Sequence, residues 1–205
     1  MRVDKVILRA VLNTLAAIVV LFVFLFSAVS IVFPSTMMQF TYDLGMDGAS
    51  IHFAERAYDR GEKIYFIGFA TEVAIGIEDF EEINACGEKF IKDDEFGAYC
   101  ASREKTMSQA EGSYARYIYG QVCVAKYNVG KKTSAVERAF ALNGETTFVT
   151  GNPIAAVLFT ALGEEDKDSV ALIVTKMENF NANGLSEGDK VYFDTLLGFA
   201  REKTA

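Results

Sequence analysis

The sequence predicts an all-α chain: an N-terminal transmembrane helix followed by antiparallel helical hairpins. Three observations carry this expectation. One uncharged run near the N-terminus is long enough to cross a bilayer. Apolar residues beyond it recur at helical spacing between capping residues. Only two Pro interrupt 205 residues, which leaves little room for linkers.

The run from Ala10 to Phe33 has 24 residues and no charge. A helix of that length rises about 36 Å, against about 30 Å of hydrocarbon core. Asn13, Thr14, Ser27 and Ser30 are its polar residues, and each has a hydroxyl or amide that can bond back to the helix backbone, so none forbids insertion. Arg2, Lys5 and Arg9 precede the run against a single Asp4, and no Lys or Arg follows in "PSTMMQFTYDLGMD". The positive-inside rule then predicts three segments. Residues 1–9 are a short basic cytoplasmic N-terminus, 10–33 are the single span in the cytoplasmic membrane, and 34–205 are an extracytoplasmic domain. Ala28 and Ser30 also have the spacing of a signal-peptidase site, so cleavage after Ser30 is the alternative to an uncleaved signal-anchor. The length of the run, and its resumption as Ile31, Val32 and Phe33, favour the anchor.

Beyond residue 33 the chain carries 17 basic and 27 acidic residues, a net charge of −10. That balance repels phosphate backbones, so no nucleic-acid partner is expected. Seventeen Phe and nine Tyr supply core and contact area. Cys86, Cys100 and Cys123 are an odd count for an exported chain, and both a Cys86–Cys100 bridge and buried thiols remain open. Without a C-x-x-C pair, and with one His in the chain, no metal or other cofactor is expected.

The elements follow in order. Helices are expected near 35–45, 48–60, 63–76, 80–93, 109–128, 133–142, 153–163, 167–180 and 187–203. Gly61 stops the second of these. The third, in "KIYFIGFATEVAIGI", is apolar on all sides and must be buried by neighbours. Asp79 stands where an N-cap belongs, and Ile83, Cys86, Gly87, Phe90 and Ile91 then share one helix face. Ser108 with Glu111, Ser134 with Glu137 and Ser186 with Asp189 have capping-box spacing. Asn152 and Pro153 read as N-cap and first helical residue, while Gly130 and Asn143–Gly144 read as stops. Glu145 to Gly151, "ETTFVTG", is the one extended-looking piece, and alone it makes a loop.

Three segments align on one another: "TEVAIGIEDFEEINACGEKFI", "VCVAKYNVGKKTSAVERAFAL" and "LFTALGEEDKDSVALIVTKME". Each is a helix with a small residue (Ala74, Ala125 or Ala161), a short charged turn and a second amphipathic helix. Together with "LGMDGASIHFAERAY", where Ala57 follows Gly45 by twelve residues, this pattern resembles tetratricopeptide-type helical repeats. The aligned alanines are 51 and 36 residues apart rather than the 34 of that family, and other consensus positions are unfilled. What the resemblance implies is therefore an architecture, a TPR-like α-solenoid, and not a binding code. An irregular helical bundle fits the same hairpins.

No chemistry-bearing constellation emerges, and no enzyme is expected. His52 and Glu55 lie one turn apart, but there is no second His to complete a centre. The clusters "KDDE" (Lys92–Glu95) and "GEEDKDS" (Gly163–Ser169) lack the ligand spacing of a calcium loop and read as solvated turns. The stretch that points to a partner is "GSYARYIYGQVCVAKY". Here Tyr114, Arg116, Tyr117, Gln121 and Tyr127 are expected to form or border a protein-binding face, with Ile118, Val122 and Ala125 turned to the core. The expected function is a membrane-anchored adaptor or accessory subunit that binds another protein. The alternative is a helical sensor or carrier holding a small apolar ligand, with which the Phe and Met content is compatible.

Overall fold

The computed structural model describes residues 2–144 and 147–204. It is 81% helical, with eleven α-helices and no strand among the described residues. The chain divides into two compact units, Met1–Glu62 and Lys63–Ala205, so the two helices that follow the apolar run belong with that run.

The first unit comprises α1 (Arg2–Val32), α2 (Pro34–Asp43) and α3 (Asp47–Asp59). Within α1, Ile7–Val32 is 26 residues whose most apolar 18-residue stretch has a mean hydropathy of 3.0, long and apolar enough to cross a membrane, and its side chains are almost all exposed. Pro34 ends this helix, because a proline disfavours helical backbone at the residue before it. Phe33 accordingly leaves the helical region (φ −128°, ψ 65°), and Pro34 takes the first turn of α2, where its missing N–H costs nothing. Phe33 serves both helices: its N–H donates to Val29 O at 2.8 Å, and its carbonyl accepts from Met37 N at 3.1 Å. Helices α2 and α3 form a hairpin that buries Met38, Thr41, Ile51 and Ala54.

The second unit comprises α4 (Tyr65–Gly76), α5 (Phe80–Lys92), α6 (Phe96–Met107), α7 (Ser113–Asn128), α8 (Lys132–Asn143), α9 (Pro153–Gly163), α10 (Lys167–Glu178) and α11 (Glu187–Thr204), with a 3₁₀ turn at Ala182–Gly184. The three hairpins α4–α5, α7–α8 and α9–α10 close with the same three-residue turn. Its middle residue is left-handed: Glu78 (φ 57°), Gly130 (φ 81°) and Glu165 (φ 56°). Its third N–H reaches five residues back, from Asp79 to Ala74 O at 3.1 Å, from Lys131 to Lys126 O at 3.2 Å and from Asp166 to Ala161 O at 2.9 Å. These are Schellman motifs. In two of them the third residue also caps the next helix: Asp79 accepts from Glu82 N and Asp166 from Ser169 N, both at 3.1 Å.

The hairpins pack in series: α5 on α7, α7 and α8 on α9, α10 on α9 and α11. Tyr127, Phe148, Ile154, Leu158, Ile173, Met177 and Phe193 belong to one core across α7 to α11. Helix α4, apolar except for Thr71 and Glu72, buries Ile67, Ala70, Thr71 and Ala74.

Several expectations change. Helix α6 was not foreseen. Ser108 is not the N-cap of a helix over 109–128 but the left-handed C-cap of α6 (φ 54°), and α7 starts at Ser113 behind Gly112. Ser134 does not cap either, since α8 has already begun at Lys132. Asp79, Asn152 and Ser186 cap as expected, each accepting from the N–H three residues on. No disulfide joins the cysteines, and all three are buried thiols. Glu145 and Thr146 lie outside the described residues; residues 147–151 are non-helical and carry the fully buried Phe148.

A close approach of α5 to α7 fixes their spacing: a Cβ on Gly87 would lie 2.2 Å from Val122 Cγ2. Gly87→Ala is expected to destabilise the protein by about 1–3 kcal/mol through overpacking. Gly198→Ala, in the middle of α11 with open space around it, is expected to stabilise by about 0.5–1 kcal/mol. Chemical denaturation of both variants of the full chain in detergent checks the opposite signs.

Candidate interaction surface on helix α7

The first turn of α7 is set by a buried carboxylate. Glu104 on α6, only 5% exposed, accepts the N–H of Gly112 at 2.9 Å and of Tyr114 at 2.8 Å. It thereby satisfies donors that a helix N-terminus otherwise leaves open, and it places negative charge at the positive end of the helix. The residue before Glu104 on α6, Arg103, gives Nη2 to both oxygens of Glu72 on α4, at 2.8 and 2.9 Å. The Tyr114 hydroxyl donates to the same Glu72 carboxylate, and the Arg103 guanidinium lies 5.8 Å from the Tyr114 ring centroid. Three helices are thus joined at one acid.

Aromatic rings continue from there. Tyr114 lies 6.4 Å from both Tyr117 and Tyr99, and Tyr99 meets Phe90 edge-on at 5.2 Å. Burial pushes the Tyr99 hydroxyl up to about 12, and the nearby Glu72 charge adds to it. Burial raises Tyr114 as well, reinforced by its hydrogen bond to Glu72. For Arg103 burial acts downward, but Glu72 together with Tyr99 and Tyr114 outweighs it and raises the guanidinium.

Above this framework opens a cavity of about 500 Å³ lined by Met107, Gln109, Ala110, Ser113, Tyr114 and Tyr117. Its walls are mainly apolar. Met107 and Tyr117 are exposed large side chains at its edge, Tyr117 at 47%. The Ser113 hydroxyl in its wall finds no partner among the described residues.

The structure divides the five residues singled out in the sequence. Tyr117 lines the cavity and is exposed; Tyr114 lines it too but is 6% exposed, with its hydroxyl committed to Glu72. Arg116 and Gln121 are half-buried on the same helix and do not line it. Tyr127 is fully buried and belongs to a different cluster, which removes it from any exposed face: its hydroxyl donates to Asp166 at 2.5 Å, and Lys132 donates to the same carboxylate at 2.8 Å. That Lys132 hydrogen bond, then the one from Tyr127, holds the Asp166 carboxyl well below the usual range. Sequence reasoning missed Met107, Gln109, Ala110 and Ser113 because it did not see the turn that brings the end of α6 beside α7.

Other candidates resolve into structural roles. His52 is exposed on α3. Asp93 accepts Glu95 N at 2.8 Å in the turn before α6, and Asp166 caps α10. Burial lifts the Cys100 and Cys123 thiols to about 12, so neither is a nucleophile at neutral pH.

No family model, curated protein or solved structure matches the chain.

The raised Tyr99 value has a pH consequence. A hydroxyl whose folded value exceeds the ordinary value of about 10 contributes stability that is fully present below pH 10. That contribution is lost as pH climbs through about 12. Denaturation midpoints measured from pH 9 to 12 are expected to fall, and to fall less steeply in Tyr99→Phe.

Proposed function

We propose that the protein is a single-pass, membrane-anchored adaptor or accessory subunit. Its N-terminus lies in the cytoplasm and its helical-hairpin domain outside, where it binds another protein through the edge of the Met107–Tyr117 cavity. The observation that carries this reading is the exposed pair Met107 and Tyr117 around an apolar hollow, held on helices fixed by the half-buried acid Glu72 and the buried acid Glu104. Aromatic and Met side chains beside an apolar pocket are the anchors on which interfaces concentrate their energy. A rigid frame lowers the ordering cost of binding. Confinement to the membrane by α1 raises the effective concentration of a partner there, so one small surface suffices. The basic residues ahead of the apolar run support the orientation.

The recurrence of one turn in successive hairpins supports a TPR-like arrangement. The left-handed residues of α4–α5, α7–α8 and α9–α10 are 52 and 35 residues apart, counted from Glu78 to Gly130 to Glu165. The unforeseen helix α6 lies inside the longer interval, and the shorter one is near the 34 residues of that family.

The second reading, a carrier or sensor for a small apolar ligand, is favoured by the same cavity. Its volume of about 500 Å³ falls in the ligand-pocket range of about 300–1,000 Å³.

A photo-crosslinking residue placed at Tyr117 of the full chain, in its own membrane, separates the two. The adaptor reading expects one discrete protein adduct, absent when the probe sits at exposed Asp194 on α11 and lost when residues 1–33 are replaced by a cleaved signal. No adduct at Tyr117, together with an apolar small molecule that co-purifies and is displaced by Ser113→Phe, would sink the adaptor in favour of the carrier.

A further inference from the structure

The uncharged stretch does not stop where α1 stops. From Ala10 to Tyr42 no residue is charged, and the first charge is Asp43, the last residue of α2. Helix α2 is therefore as charge-free as the span before it, over all but its final residue. Two of its polar side chains find partners within the helix: Thr41 Oγ1 donates to Met37 O at 2.8 Å, and Gln39 donates to Asp43 at 2.8 Å at the C-terminal end. Such self-satisfied groups tolerate a poorly hydrated setting.

The break at Phe33 folds α2 back along α1. Between them runs a groove of about 330 Å³, with Phe22, Phe26 and Val29 on one wall and Thr36, Met37 and Phe40 on the other. The depth of this groove follows from helix geometry. Counting from Ala10, about 20 residues at 1.5 Å each span the hydrocarbon of about 30 Å, which ends near Val29. Residues 22–29 then occupy roughly the last 10 Å of that layer, the depth to which interfacial helices sink their apolar faces. Phe40, 50% exposed, faces them across the groove at the same level.

We propose that α2 lies in the membrane interface, with the groove between α1 and α2 filled by lipid acyl chains. This inference rests on the reading that α1 spans the membrane. Its occupant follows from continuity: the groove wall Phe22–Val29 is one face of the spanning helix, and what covers the rest of that helix covers this face. Phe33, Phe40, Tyr42 and Leu44, all exposed, then stand at the level where aromatic side chains accumulate.

The chain contains no Trp, so a single introduced indole reports without background. Three variants of the full chain, Phe22→Trp, Phe40→Trp and Phe199→Trp, are reconstituted into phosphatidylcholine vesicles carrying bromine at defined acyl depths. Phe22→Trp and Phe40→Trp are expected to lose emission, Phe40→Trp most with shallow bromine, while Phe199→Trp on α11 keeps its emission. Quenching at Phe22→Trp without quenching at Phe40→Trp overturns the interfacial placement and leaves the anchor standing. No quenching at Phe22→Trp overturns the span itself and the groove with it. Blue-shifted, unquenched emission from Phe40→Trp that grows with the protein-to-lipid ratio assigns the groove to a second copy and also overturns the proposal. Thr36→Trp, on the exposed edge of the same groove, gives the same reading should Phe40→Trp disturb the circular-dichroism spectrum.

Discussion

The second unit depends on one backbone constraint: a residue held at positive φ between two helices, with the next N–H closing back onto the helix just ended. Where this turn occurs the chain reverses in three residues, and the two helices lie antiparallel with their apolar faces together. Glu78 and Glu165 adopt this conformation although they carry a Cβ, which disfavours it relative to glycine. The turn persists there because its neighbours fix it from both sides. Ala74 and Ala161 supply accepting carbonyls from buried positions, while Asp79 and Asp166 lock the start of the following helix. The same Asp therefore ends one helix through its N–H and begins the next through its carboxylate.

Between hairpins, acids again do the joining. Glu72 joins α4 to Arg103 on α6 and Tyr114 on α7; Glu88 on α5 accepts from Lys126 on α7 at 2.6 Å and from Arg138 on α8 at 2.9 Å; Asp166 joins the α9–α10 turn to Tyr127 and Lys132. Burial acts to raise the Glu88 carboxyl, yet these two cations hold it below its ordinary value, so it stays ionised. The Glu88 set, with all three side chains largely buried, differs in kind from Arg201–Glu178, where both side chains are about half exposed. An exposed pair of that sort contributes about 0–1 kcal/mol and decides little. Removing one partner of a largely buried set leaves a charge stranded, which costs several times more. The helix order is thus specified by polar contacts across an otherwise apolar stack.

How much of this was legible in the chain follows from which signals are local. Helices with a clear apolar stripe and a side-chain cap, such as α5 behind Asp79 and α9 behind Asn152–Pro153, were readable because both signals lie within a few residues. Helix α6 was not: its buried positions are Phe96, Cys100 and Glu104, and an acid in the third place makes an inward face look like a solvated one. Its end was hidden too, since Ser108 in the left-handed region resembles an N-cap in sequence while acting as a C-cap. The aromatic surface was half legible for a related reason. Tyrosines on α7 advertise contact, but Tyr114 and Tyr127 spend their hydroxyls on acids 42 and 39 residues away, pairings that no local pattern encodes.

The two kinds of residue that sequence reading confused, buried tyrosines and exposed ones, also explain why the cavity edge is small. A tyrosine whose hydroxyl is satisfied inside contributes rigidity, and Tyr114 does so by lending one ring face to the cavity while Glu72 fixes the other end of the side chain. Tyr117, three residues on, is 47% exposed and packs its ring 6.4 Å from that of Tyr114. A fixed ring beneath an exposed one is, on the proposed reading, an economical contact surface: a partner would order a single two-torsion side chain on binding, rather than a loop. On the proposed reading the small area is offset by the anchor, because a domain held at a membrane meets its partner in a layer rather than in a volume.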